Sequence, residues 1–198
     1  PANNSLYVGG LFTAYRGVAA QKLAKIDLTT GNLDTTFTQS TGFNSTVSSL
    51  AVNPANNSLY VGGVFSLYRV SFTAQRLAKI DLTTGDLDTT FTQSRGFDSS
   101  SNNSGIIIPS VNSVASLFIN PLNNTLYVGG GFISYRGKAV QKLAKVNLTN
   151  GVLDLNFSQS TGFDGDVYSL AVNPANNSLY VGGLFTAYRG VAAQKLAK

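Results

Sequence analysis

Hydrophobic residues in this chain come in short runs cut by Asn, Gly, Thr and Pro, the rhythm of strands and turns. Ser5–Gly9 reads SLYVG, in which Leu6 and Val8 alternate cleanly. Lys22–Leu28 reads KLAKIDL and does not alternate: Leu23 and Ile26 fall on opposite faces, as in a strand covered on both sides. Leu33–Thr38, LDTTFT, and Val47–Asn53, VSSLAVN, complete a predicted set of four strands. Turn signals separate them: the Asn pair before Ser5, TTGN at Thr29–Asn32, TGFN at Thr41–Asn44, and NPANN at Asn53–Asn57.

The same set then recurs. PANNSLYVGGLFTAYRG at Pro1 returns as PANNSLYVGGVFSLYRV at Pro54, as PLNNTLYVGGGFISYRG at Pro121, and again at Pro174. The units run 1–53, 54–120, 121–173 and 174–198, about three and a half repeats in one 198-residue domain. Residues 1–25 and 174–198 are identical. The second unit is longer, with one residue added after Arg69 and thirteen more after Phe97, around SSSNNSGIIIPSVNS. Additions at loops with the remainder in register point to surface excursions from a fixed scaffold.

Four short strands in about fifty residues is the size of a β-propeller blade, whereas a solenoid coil is shorter. The predicted fold is all-β: four-stranded antiparallel blades that bury Leu6, Val8, Phe12, Leu23, Ile26, Phe37, Phe43 and Leu50 between neighbours. Gly9-Gly10 recurs in every unit. Double Gly fits φ > 0 or close backbone approach, and is expected on an inner strand crowded at a ring axis. Identical ends and open strand edges lead us to expect self-association, through strand edges or exchanged half-blades.

LYVGG-x-F-x-x-YRG, then LAKIDLTTG, LDTTF, GFN and VSSLAV together resemble the bacterial delta-sixty repeat family. The resemblance covers essentially the whole chain, four times over. It implies β-propeller architecture and a setting in long tandem-repeat proteins at the bacterial surface. It implies no activity, because the family has none well defined. Where that family often has Asn between Tyr and Gly, this chain has Arg16, Arg69, Arg136 and Arg189, and the second unit replaces the Gly with Val70. The double Gly is shared with kelch repeats, but the Trp expected of those is missing.

Composition narrows the chemistry. The chain has no Cys, His, Met, Trp or Glu. A thiol nucleophile, the usual general base at neutral pH and the commonest zinc ligand are thereby excluded. Nine Asp are the only carboxylate side chains. The net charge is +5, with basic residues at one repeating spacing rather than in a tail. QKLAK sets Lys22 and Lys25 beside a strand near Tyr15-Arg16, but so weak a charge gives no expectation of nucleic-acid binding. Apolar runs are too short for a membrane-inserted segment.

Asp27 and Asp34 recur as Asp81 and Asp88, while the third unit has Asn147 with Asp154. Paired carboxylates suit Ca²⁺ or an acid–base pair. The competing reading, favoured by the Asn swap, is that Asp27 caps the TTG turn. Asp164 and Asp166 lie in a Gly-containing loop and read as solvated, with a weak calcium alternative. No metal and no cofactor is expected. The candidate ligand contacts are the recurrent pairs Tyr15-Arg16, Tyr68-Arg69, Tyr135-Arg136 and Tyr188-Arg189. Tyr offers a flat ring for a sugar, and Arg a fork for carboxylate, phosphate or sulfate. The alternative is that Tyr packs between blades and Arg pairs with a local Asp or a turn carbonyl.

The expected function is non-catalytic: a ligand-binding or adhesion scaffold of a secreted or surface bacterial protein, with an anionic glycan or cell-surface polymer as partner. A purely structural, self-assembling array is the alternative. A glycan-active enzyme on a propeller is disfavoured, because no unit carries a catalytic cluster of its own.

Overall fold

The computed structural model describes residues 4–38, 41–92, 95–98, 114–158, 160–173 and 175–198; the inserted segment 99–113 lies outside them. Among the described residues the protein is all-β, with antiparallel sheets and two single 3-10 turns, Pro54–Asn56 and Pro121–Asn123. Four sheets follow one another along the chain. The first pairs Ser5–Gly9 with Leu23–Asp27. The second runs Val47–Asn53, Ser58–Gly63, Leu77–Asp81. The third runs Val114–Asn120, Thr125–Gly130, Leu143–Asn147. The fourth runs Val167–Asn173, Ser178–Gly183, Leu196–Ala197.

The second, third and fourth sheets each straddle two sequence units. Val47–Asn53 ends the first unit but opens the second sheet, and the unit boundary falls in the hairpin between strands. That hairpin is built by Asn. The Asn53 side chain accepts from Ala55 N at 3.2 Å, Pro54 opens the 3-10 turn, and Asn57 closes it at φ 51, a left-handed conformation Asn tolerates.

Val47–Asn53 and Ser5–Gly9 form where the pattern places them. The expected third strand, Leu33–Thr38, does not. Only Leu33 bridges, to Ile26, with Leu87 and Leu153 repeating it. The cause is Asp34, whose Oδ1 accepts from Thr36 N at 3.0 Å and Phe37 N at 3.1 Å and folds the segment into a turn. The four-stranded blade is therefore three strands and a one-residue bridge.

The sheets stack on alternate faces. Leu59 and Val61 pack on Leu23, Phe37, Phe43 and Val47, while Tyr60 packs the other way with Phe91, Leu126 and Leu148. Burying a leucine this completely contributes about 1.5–3 kcal/mol. Leu59 and Leu126 are 0% exposed, but their counterpart Leu6 is 48% exposed, because no described sheet covers that face. Leu6 was expected in the core, and the structure corrects this. Leu23 and Ile26 are both buried, as the lack of alternation implies.

The first strands of successive sheets touch: Ser49 Oγ accepts from Leu117 N at 3.0 Å, and Ser116 Oγ from Leu170 N at 3.2 Å. The Gly-Gly strand is the middle strand of each three-stranded sheet, and neither Gly has positive φ. Close approach is the operative reason. A Cβ on Gly9 or Gly62 would collide with Cγ1 of Val47 or Val114 in the next sheet. That valine stands beside a β-bulge, between Val47 and Ser49 and between Val114 and Ser116.

A second hairpin in each unit was not expected. Ala14–Tyr15 pairs with Val18–Ala19, Ser134–Tyr135 with Lys138–Ala139, and Ala187–Tyr188 with Val191–Ala192. Arg16 and Gly17, at φ 47 and 80, make a two-residue turn with both central residues left-handed. In the second unit the added residue lengthens this loop, and Val70 sits at φ 68, 72% exposed. A β-branched residue there is strained by about 1–2 kcal/mol. Val70→Gly is therefore expected to raise stability by about 0.5–1 kcal/mol after the entropy cost of Gly in the unfolded chain. Urea unfolding measures this, and a loss of stability would contradict the assigned loop geometry.

Candidate functional site

The Tyr-Arg turns hold the hairpins against the preceding unit. Phe43 bridges Tyr68, Phe97 pairs with Tyr135, and Phe163 bridges Tyr188. The rings follow the backbone, with centroids 4.6, 4.4 and 4.5 Å apart. Tyr68 and Tyr135 are buried, and their hydroxyls donate to Gly85 O at 2.6 Å and Gly151 O at 2.8 Å; Tyr15 donates likewise to Gly31 O at 3.0 Å. Burial pushes the Tyr135 phenol up to about 12, so it is a neutral donor at any ordinary pH.

Each guanidinium lies over its own Tyr ring, 5.3, 5.2, 5.0 and 5.1 Å from the centroid in Arg16, Arg69, Arg136 and Arg189. Those of Arg69, Arg136 and Arg189 also reach backbone oxygens. Arg136 donates to Phe91 O, and Arg189 to Phe157 O at 2.9 Å, both in the preceding unit. Arg69 donates to Thr84 O at 3.2 Å and pairs with Asp86 at 2.7 Å. The Arg69 hydrogen bond, with one from the Thr84 hydroxyl, holds the Asp86 carboxyl below its usual range. Arg16 lies over Gly31, whose φ of 68 already requires glycine.

The Asp residues divide by task. Asp27 Oδ1 accepts from Thr29 N at 2.9 Å and Thr30 N at 2.8 Å, and Asn147 Oδ1 does the same for Thr149 N and Asn150 N at 2.9 and 3.2 Å. Turn capping accounts for this position, and for the tolerance of Asn. Asp34, Asp88 and Asp154 each cap a second turn and bind Lys25, Lys79 and Lys145 at 2.9, 2.8 and 2.9 Å. For Asp34 burial opposes ionisation, but Lys25 and the Phe37 and Thr36 amides outweigh it and depress its carboxyl. Lys25 and Lys79 are buried, and each Nζ of the three stands over Phe37, Phe91 or Phe157. Their charge is matched inside the fold.

Asp164 and Asp166 are not a free loop pair. Asp164 accepts from Thr186 N at 2.8 Å, Ala187 N at 2.9 Å and the Thr186 hydroxyl, which with those amides pulls its carboxyl down to about 2. Asp166 pairs with Lys142 at 2.9 Å. Asn44 repeats the first role, accepting from Ser66 N and Leu67 N at 2.9 and 3.0 Å. Sequence reasoning missed this clamp, although a polar residue after each Gly-Phe was its signal. It also missed Tyr7 and Tyr60, whose hydroxyls donate across the sheet stack to Leu82 O at 3.1 Å and Leu148 O at 2.6 Å. Among the described residues no three acidic side chains stand together as a metal site would need.

With this geometry in view, known proteins add the following. Residues 2–37 match the family model described as a beta-propeller domain of unknown function, DUF5122. No curated protein matches the chain. Among solved structures, the crystal structure of Saccharomyces cerevisiae Sqt1 is similar at 14% identity and a TM-score of 0.45, over 81% of this chain and 35% of that one. The chain thus spans about a third of that protein's length.

Proposed function

We propose that this chain is a non-catalytic β-propeller scaffold of the delta-sixty kind, working as a binding or adhesion module of a secreted or surface bacterial protein. The observation that carries this reading is the use of the repeated polar side chains. Arg136 and Arg189 each bind a backbone oxygen of the preceding unit, while Tyr7 and Tyr60 each bind one of the following unit. Residues that recur in every unit serve the joints, and what suits one joint rather than another to a ligand is the set of neighbouring positions at which units differ. The all-β sheets, the beta-propeller family match and the resemblance in LYVGG, LAKIDL and GFN support the architecture. The bacterial-surface setting rests on the resemblance.

The test is the variant with Arg16, Arg69, Arg136 and Arg189 all changed to Ala. Charge-assisted hydrogen bonds contribute about 1.5–3 kcal/mol each where buried. The melting temperature should therefore fall by well over 5 °C. Suppose instead that it barely moves, while the wild type binds an anionic polysaccharide at low salt and the variant does not. The arginines are then ligand contacts, and the joint reading fails.

A further inference from the structure

The units differ most instructively around Arg136. Its counterpart Arg69 has a carboxylate partner, Asp86, at 2.7 Å. The residue matching Asp86 in the third unit is Val152, and in the first unit Asn32. Among the described residues Arg136 therefore has no carboxylate partner, and it donates to Phe91 O and Asn150 O. Three further substitutions meet at the same place. Lys138 replaces the Val of the first and fourth units, Val18 and Val191. Leu155 replaces Thr35 and Thr89. Arg95, in the second unit just before Gly96-Phe97, replaces Thr41 and Thr161, and its guanidinium lies 3.9 Å from where a Cβ on Gly137 would stand.

Together these changes make a groove of about 230 Å³ lined by Tyr135, Arg136, Lys138, Val152, Leu153 and Leu155. Val152 is 57% and Leu155 60% exposed, an apolar floor where the other units carry Asn, Asp or Thr. Among the described residues neither Arg136, Lys138 nor Arg95 has an ion-pair partner, and the adjacent Asp154 is held by Lys145 at 2.9 Å. Cations without a counter-charge beside exposed aliphatic side chains are the complement of an anion carried on an apolar body.

We infer that this groove binds a small organic anion, a carboxylate on a short aliphatic chain. The anionic head lies between the Arg136 guanidinium and the Lys138 ammonium, and the chain lies along Val152 and Leu155. The inference rests on the reading that unit-specific positions suit one joint rather than another to a ligand. Repeat symmetry shows why one joint is suited and another is not: Asp86 already fills the anion's place in the second unit.

The test is an NMR titration of the 198-residue chain with hexanoate, against hexan-1-ol, which has the chain without the charge, and acetate, which has the charge without the chain. Hexanoate should shift the amides of Gly137, Leu153 and Leu155 saturably, with affinity at least tenfold above either control. Val152→Asp installs the arrangement of the second unit, and Lys138→Val that of the first and fourth, so both substitutions have a precedent in the fold. Val152→Asp should weaken hexanoate at least tenfold and Lys138→Val severalfold. Hexanoate no tighter than the controls, shifts centred elsewhere, or unchanged affinity in Val152→Asp would overturn the inference. The scaffold reading stands apart from that outcome, since it is tested by the melting temperature of the arginine variant.

Discussion

Phe91→Ala is expected to remove about 3–5 kcal/mol of stability, the range for a buried aromatic truncated to methyl. Phe91 is 1% exposed and meets Tyr60 edge to face, with centroids 5.3 Å apart. Lys79 covers one side of the ring at 5.9 Å. A Cβ on Gly151 of the next unit would stand 3.3 Å from its Cδ2. The side chain thus fills the seam between the second and third sheets, and Ala leaves a cavity that two rigid backbones cannot close. Phe37 occupies the same place one unit earlier, against Tyr7 at 5.4 Å, and should behave alike. Phe157 is only half-buried, so its loss should cost roughly half as much, because the cost follows the area removed from water. Urea unfolding of the three variants gives the comparison. A loss below 1 kcal/mol at both Phe37 and Phe91 would contradict the stacking.

Gly96→Ala should be nearly as damaging, for a reason invisible to propensity. Gly96 does not have a positive φ, so alanine has no conformational quarrel with its backbone. The obstacle is space: a Cβ there would overlap Gln75 O. That oxygen accepts from Phe97 N at 3.2 Å, while Gly96 O accepts from Arg136 N at 2.9 Å. The glycine is pinched between the hairpins of two units, and neither side can retreat without breaking its ladder. Overpacking of this kind costs about 3 kcal/mol at the upper end of its usual range. Gly42 and Gly162 stand in the same relation to Gln21 O and Gln141 O. Denaturant unfolding checks the value, and a cost under 1 kcal/mol would mean that the joint between units is assembled differently.

These two positions show which parts of the structure the sequence discloses. Ser5–Gly9 and Val47–Asn53 are legible because alternation and flanking turn residues agree. Leu33–Thr38 looks like a strand because Thr and Phe favour strands, but the Asp34 carboxylate offers its amides a better partner than a neighbouring chain would. The Tyr15-Arg16 hairpin escapes notice because its strands are two residues long and its turn puts Arg, not Asn, in the left-handed region. Exchange of Asp27 for Asn147 does reveal turn capping, since both side chains present the same acceptor. Which strand opens a sheet is beyond a repeat pattern, for a periodic sequence has no privileged starting phase. For the same reason the groove beside Arg136 emerges only when equivalent residues are superposed in space and their partners compared.

The joints have a genetic corollary. Among the described residues, bonds between neighbouring units recur at positions that the repeat supplies on both sides, as when Tyr7 meets Leu82 and Tyr60 meets Leu148. Residues 1–25 and 174–198 are the same string, separated by three whole units. Unequal crossover between their coding segments would delete or duplicate those three units together. The recombinant would contain no seam that the present chain lacks, because the new neighbours would meet through the same Tyr, Arg, Gly and Val. Nearest-neighbour packing makes repeat number a quantity that recombination can change in one step, without waiting for compensating substitutions.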